Sequence, residues 1–191
     1  MALVVCDMSV SLDGFVTGPK DSRGNPFGDG AATLHDWLFD AADDEDRAIG
    51  QHSLDATGAI VMGRRSFDKN EGDGGWGDGG PHGATPSFVV THRPPPADHA
   101  PVFTFVDDGV QSAIEQATAA AAGKDVGLFG ATVVQQALPL GLVDELRLHV
   151  NAVLLGGGTP LFDALDAAVV LERIRVCVTP SVTHLFFRVV R

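Results

Sequence analysis

The 191-residue sequence predicts an α/β fold in which a central, mixed and mostly parallel sheet ends in a C-terminal antiparallel hairpin. Three observations predict it. In the first 140 residues or so, short β-branched runs alternate with segments of helical periodicity, as in successive strand-helix units. In the last third, the strand-like runs 143–155, 169–178 and 182–190 follow one another with no long helix between them, and Pro180-Ser181 makes a tight connection. No repeat, low-complexity tail or linker interrupts the chain, so one domain over residues 1–191 is expected.

The elements follow in order. Ala2 to Ser9 reads as a central strand with Asp7 as its one charge, and Asp13-Gly14 supplies the turn after it. Residues 18–30 are loop by composition, while Leu34, Trp37, Leu38, Ala41 and Ala42 place a helix within 31–52. Ala59 to Met62 is a second strand, a short helix starts near Arg65, and the glycine-dense stretch 71–83 is a surface loop in which Trp76 is positioned to close over a ligand. Ser87–Val90 and Val102–Val106 are strands, and Asp108 to Ala122 is a helix capped by Asp107 or Asp108 and stopped by Gly123. Val126 to Phe129 is the next strand, after which Gly130 opens a helix to about Leu138.

A formal charge of −12 argues against nucleic acid and anionic membranes as partners, because both would be repelled over most of the surface. No apolar run approaches the roughly 20 residues of a membrane span. The N-terminus opens into a strand with no basic region or cleavage site, so a cytoplasmic location is expected. Cys6 and Cys177 sit in apolar runs without metal or redox spacing, and the seven histidines form no ligand pair at helical spacing. No metal site is expected.

Three segments share one local grammar, a buried strand that delivers small or polar residues at its C-terminal end. They are Met62-Gly63-Arg64-Arg65-Ser66, Thr91-His92-Arg93 and Phe129-Gly130-Ala131-Thr132. Open α/β sheets bind ligands beyond the carboxyl ends of their strands, so these ends are expected to converge on a nucleotide cleft. Guanidinium groups hold phosphate through paired, charge-assisted hydrogen bonds, and a helix start offers free amides. A solvated basic pair at Arg64 and Arg65, and a packing role for Gly130, are the alternatives. Neither G-x-G-x-x-G nor a Walker sequence is present, which counts against Rossmann and P-loop readings.

Seven landmarks occur in a fixed order: Ser11-Leu12-Asp13-Gly14, VMGRRSF, FVVTHR, GLFGATVVQQAL, GLVDELRLHV, LLGGGTPLF and TPSVTHLFFRVV. Together they resemble the dihydrofolate reductase-like superfamily, specifically the reductase domain of riboflavin-biosynthesis deaminase-reductases and their stand-alone relatives. The resemblance implies a three-layer α/β/α fold, NADPH as cofactor and a homodimer. It places Arg64, Arg65 and Ser66, with Thr91, His92 and Arg93, at the adenosine 2′-phosphate, and Phe129 and Gly130 to Val133 (with Ala131 and Thr132) at the pyrophosphate. Gly63 brings the strand end close to the cofactor, and Val10 to Gly14 flank the nicotinamide. Asp7, Ser11 and Trp37 fall on the substrate side, with Asp13 or Asp36 as the proton source.

Three departures stand out. The family's glycine pair at the fifth strand end is Phe129-Gly130 here, and Asp7 stands where many members carry a lysine. Thr85-Pro86-Ser87 also lacks the arginine that holds a folate tail. The implied activity is NADPH-dependent hydride transfer to a carbon-nitrogen double bond of a small pyrimidine- or pterin-like molecule. A protein that binds NADPH without turnover, as a sensor or scaffold, is the second reading, and an interaction protein working through its acidic surface is the third.

Overall fold

The computed structural model describes residues 2–39, 43–72, 75–163 and 165–191. Strand β1 (Val4–Ser11) shows how the sequence sorts its faces, because Cys6 and Val10 enter the main core while Asp7, Ser9 and Ser11 occupy the alternate face. A short strand β2 (Phe15–Thr17) follows. The single helix expected within 31–52 is instead a 3-10 turn (Ala32–His35), a short α1 (Asp36–Phe39) and a separate α2 (Asp44–Ala56). Ala41 and Ala42 lie outside the described residues. A capping box starts α2: the Asp43 carboxylate accepts the Asp46 amide at 2.9 Å, and Asp46 accepts the Asp43 amide at 3.5 Å. Gly50 then lets α1 pack closely, since a Cβ there would meet Leu38 Cδ1 at 2.7 Å.

Strand β3 (Thr57–Gly63) runs directly into α3 (Arg64–Asn70), and β4 (Ser87–Val90) and β5 (Phe103–Val106) complete that half of the sheet. Helix α4 (Val110–Ala120) corrects one expectation. Its N-cap is Gly109 at φ +104, without a side-chain cap, because the turn out of β5 needs a backbone that an aspartate adopts poorly. Strand β6 (Asp125–Phe129), α5 (Ala131–Ala137), β7 (Glu145–Asn151), β8 (Thr159–Pro160), β9 (Leu171–Val178) and β10 (Val182–Val189) follow.

Among the described residues the main sheet has eight strands in the order β5-β4-β3-β6-β1-β7-β10-β9. The pairs from β5 to β7 are parallel, and β10 is antiparallel to both β7 and β9. A separate ribbon pairs β2 with β8. Helices α4 and α5 cover one face through the largest core cluster. On the other face Phe67 of α3 is fully buried, edge-on to Phe103 and Phe105 with ring centroids 4.9 and 5.1 Å away. Burying such a ring is worth roughly 1.5–3 kcal/mol. Trp37, Ile49 and Val182 form a third cluster under α1 and α2. The mixed sheet, the helices on both faces and the closing hairpin match the predicted architecture. No helix among the described residues is long and apolar enough to cross a membrane.

Candidate active site

The carboxyl ends of β3 and β6 deliver α3 and α5 to one cleft. Neither helix has a side-chain cap, so first-turn amides of both are open to it. A cavity of about 270 Å³ lies there, lined by Gly63, Arg64, Arg65 and Ser66 from one strand end and by Gly130, Ala131, Thr132 and Val133 from the other. Gly130 is required at this junction, having φ +94 and space for a Cβ only 2.4 Å from Ser66 Oγ.

The two arginines differ in setting. Arg64 is 15% exposed, donates from Nε to Asp68 at 2.6 Å and from Nη1 to the Pro94 carbonyl at 2.9 Å, and lies against Phe67 and Phe105. Arg65 is 63% exposed and paired with Asp21, whose other oxygen takes Lys69 Nζ at 2.6 Å. Asp21 therefore straps the 18–30 loop onto α3. Thr91, His92 and Arg93 do not line this cavity; Thr91 turns inward to its own loop, and Arg93 reaches the rim only through Asp68, at 2.6 Å. Val10 and Gly14 are also outside, the first in the core and the second in the turn after β1.

A second cavity of about 610 Å³ adjoins the first, sharing Val16, Thr17, Ser66, Lys69 and Gly130 with it. Phe129, expected beside the pyrophosphate, lines this larger space. Aromatic walls come from Phe27, Trp37, Phe39 and Trp76, with Trp76 also packed on Phe103 and Phe129. Of the described lining residues Lys69 alone is a lysine or arginine, and Asp21 and the Pro26 carbonyl occupy it. Among the described residues three buried side-chain polar atoms have no hydrogen-bond partner: Thr17 Oγ1, His35 Nδ1 and His82 Nδ1. All three residues line this cavity, where a bound molecule or water could supply the partners that buried polar groups otherwise find. Burial pushes His35 down to about 4 and lowers His82 as well, so both rings are neutral at physiological pH.

Asp7 is the carboxylate of this cavity. Its Oδ2 accepts from Ser53 at 2.9 Å and its Oδ1 lies 2.6 Å from His149 Nε2. Burial pushes the carboxyl up, but hydrogen bonds from His149 and Ser53 and the charges of His149 and Arg147 outweigh it and hold it below its usual range. Trp37 lines the same wall, donating to Ser9 Oγ at 2.9 Å, whereas Ser11 is fully buried and absent from the lining. Asp13 and Asp36 line neither cavity. Asp13 is committed elsewhere: Ser11 Oγ donates to it at 2.6 Å, as do the amides of Leu155 and Gly156 at 3.1 and 2.8 Å. Asp36 opens α1 while its neighbours His35 and Trp37 face the cavity.

Sequence reasoning missed His149. A signal existed, since Glu145, Arg147, His149 and Asn151 alternate with Leu146, Leu148 and Val150, an unusual polar face for an interior strand. Asp21, Phe27 and His82 come from aperiodic loops and carried no comparable mark.

The solved structures most like this one include a putative riboflavin biosynthesis protein from Shewanella sp. PV-4, with TM-score 0.71, 24% identity and 99% of each chain covered. The riboflavin biosynthesis reductase Rib7 of Saccharomyces cerevisiae superposes with TM-score 0.59 at 14% identity, over 100% of this chain and 89% of that one. Both likenesses concern the fold. In sequence, the uncharacterized protein YyaP of Bacillus subtilis is 27% identical over 174 residues, covering 83% of this chain and 79% of the relative. The model of the RibD C-terminal domain matches residues 2–185, and with the fold and cleft already described it establishes that the chain belongs to the RibD C-terminal domain family.

Proposed function

We propose that the protein is an NADPH-dependent reductase that transfers a hydride to a carbon-nitrogen double bond of a small pyrimidine- or pterin-like substrate. Its nearest analogy is the 5-amino-6-(5-phosphoribosylamino)uracil reductase step of riboflavin biosynthesis. The observation that carries this reading is the pair of adjoining cavities, one flanked by uncapped helix starts and arginines, the other aromatic with a carboxylate. They suit the two ends of a nicotinamide dinucleotide and a flat ring beside it.

In this reading Ser66, the α3 and α5 amides and Arg65 hold the phosphates, and Gly130 keeps the floor of the cleft low enough for close approach. NADPH, when bound, supplies the hydride. The chain contributes alignment, exclusion of water by Phe27, Phe39 and Trp76, and the carboxylate of Asp7 beside the reacting nitrogen. Asp7 takes the role first expected of Asp13 or Asp36. With Lys69 committed to Asp21, the larger cavity suits the heterocycle better than a substrate phosphate.

Assay of reduced-nicotinamide absorbance against a panel of pterins and aminopyrimidine nucleosides, with and without phosphate, tests the proposal. Turnover with at least one of them is expected. Tight NADPH binding with no turnover on any would replace it with the sensor reading.

A further inference from the structure

Behind Asp7 the polar faces of three neighbouring strands form a continuous buried chain. His149 on β7 and His184 on β10 are direct antiparallel partners in the sheet register, and Ser9 of β1 is the parallel partner of His149. The links run from Asp7 Oδ1 to His149 Nε2 at 2.6 Å, from His149 Nδ1 to His184 Nδ1 at 2.7 Å, and from His184 Nε2 to Asp46 Oδ1 at 2.8 Å. His149 is 2% exposed, and His184 and Asp46 are fully buried. The Trp37 ring packs against both imidazoles, tilted on His149 and edge-on to His184 with centroids 4.4 and 5.0 Å away, and of the two rings His149 lines the cavity.

Proton counting gives this chain its meaning. Each link joins two atoms that both carry lone pairs, so each needs one proton, three in all. Two ionised carboxylates and two neutral imidazoles bring only two, which leaves one pair of acceptors facing each other without a hydrogen. The complete chain therefore stores one extra proton. That proton makes one ring an imidazolium or sits on a carboxyl, and short shifts along the links convert these arrangements into one another. One arrangement places it on Asp7, in the cavity.

We propose that Asp7, His149, His184 and Asp46 are a proton relay that supplies the proton accompanying reduction, with Asp7 as the delivering acid and the other three as positioning residues. The inference rests on the reductase reading above. In the balanced step, the hydride from reduced nicotinamide forms a C–H bond at the carbon of C=N while Asp7 protonates the nitrogen. The nicotinamide is oxidised and the C=N bond is reduced to CH–NH. Before transfer the stored proton reaches Asp7 by shifts along the links, from Asp46 to His184 Nε2, from His184 Nδ1 to His149 Nδ1 and from His149 Nε2 to Asp7. After product leaves, Asp7 takes one proton from solvent through the open cavity, which restores the three.

Charged and titratable groups face the chain from every packed element. Arg147 on β7 is held by Glu145 and Asp125, and Arg175 on β9 is paired with Glu45 of α2. His82 stands near Asp7, His35 near His149, and Cys177 pairs with His184 across the hairpin. Both arginines are matched by carboxylates, which leaves the stored proton within the chain as the mobile charge.

His184→Gln is the informative variant, since it breaks the relay two links behind the cavity. Expected is a fall in kcat of roughly 100-fold, the lower end of what a positioned acid contributes. KM and the NADPH dissociation constant should stay within about twofold, and the pH dependence of kcat should change form. A merely structural role would move stability and leave the pH profile of the remaining activity unchanged, and that result overturns the relay. NMR of the imidazole nitrogens in the wild-type protein gives an answer without turnover and without a variant that must fold. Both rings should share a third, strongly deshielded proton that is lost in Asp46→Asn. Two neutral, singly protonated rings together with ionised Asp7 and Asp46 carboxylates, read from their carbon shifts between pH 6 and 8, would overturn the proposal even if the enzyme reduces a substrate, because the third proton would then be missing. A protein that shows the third proton but reduces nothing in the panel would leave the relay standing as a buried proton store and reject the reductase reading.

Discussion

Arg64 and Arg65 are adjacent in sequence and opposite in circumstance. Arg64 is buried against two aromatic rings and bound to Asp68 and a carbonyl, so much of its hydrogen-bonding capacity is committed to structure. Arg65 is exposed and held only by Asp21, an ion pair that a phosphate can displace. Arg65→Ala should weaken NADPH about tenfold and leave NADH nearly unchanged, because a partly exposed charge-assisted contact is worth about 1.4 kcal/mol in binding. Arg64→Ala should instead lower the melting temperature and weaken both cofactors. Titration calorimetry with a thermal melt separates the two; selective loss of NADPH in Arg64→Ala with an unchanged melt would return the phosphate-reading role to Arg64.

At the level of elements, the loop after β1 is tied to the turn after β7 by one carboxylate. Asp13 accepts from Ser11, Leu155 and Gly156, and these bonds, led by that from Ser11, hold its carboxyl below the usual range. Asp13→Ala removes acceptors for two amides across the ribbon that β2 and β8 form. Hydrogen exchange should then accelerate at Leu155 and Gly156 while β6 keeps its protection. Equal protection in both proteins would show that the loop is held by backbone pairing alone, such as Leu12 to the Val153 carbonyl at 2.9 Å.

Over the whole molecule, β9 leaves the sheet with an apolar edge. Leu171, Ile174, Val176 and Val178 are 38%, 45%, 44% and 73% exposed on a strand with an unpaired side. Such an edge invites pairing, and we propose a second copy of the chain as its cover, giving the homodimer expected from the family resemblance. Val176→Lys should shift the protein to monomer in sedimentation, and a wild type that is already monomeric at micromolar concentration would exclude the interface. Acid should also destabilise the fold as a whole. His35 has a folded value of about 4 against an ordinary 6.5, so the unfolded state binds the extra proton. Stability is then fully present above pH 6.5 and falls as pH drops toward 4, by up to about 1.4 kcal/mol per pH unit for this one group. Urea midpoints across that range should show the loss, and His35→Gln should flatten it.

The strand and helix alternation, the closing hairpin and the strand-end residues that line the smaller cavity are legible in the sequence. Those features are local: a strand end, a glycine and a helix start are contiguous in Met62 to Ser66 and in Phe129 to Thr132, so short-range chemistry writes them down. The split of the first helix was half legible, because Asp43 and Asp46 carry a capping box whose acid is aspartate where glutamate is usual. The larger cavity and the relay were decided only by tertiary structure. Asp7 and His149 are 142 residues apart, and His184 and Asp46 are 138 apart. Side-chain alternation sets Asp7 and His149 on the faces of their strands opposite the main core, but only the strand order β1-β7-β10 and the placement of α2 over it bring them into line with His184 and with Asp46, which belongs to a helix.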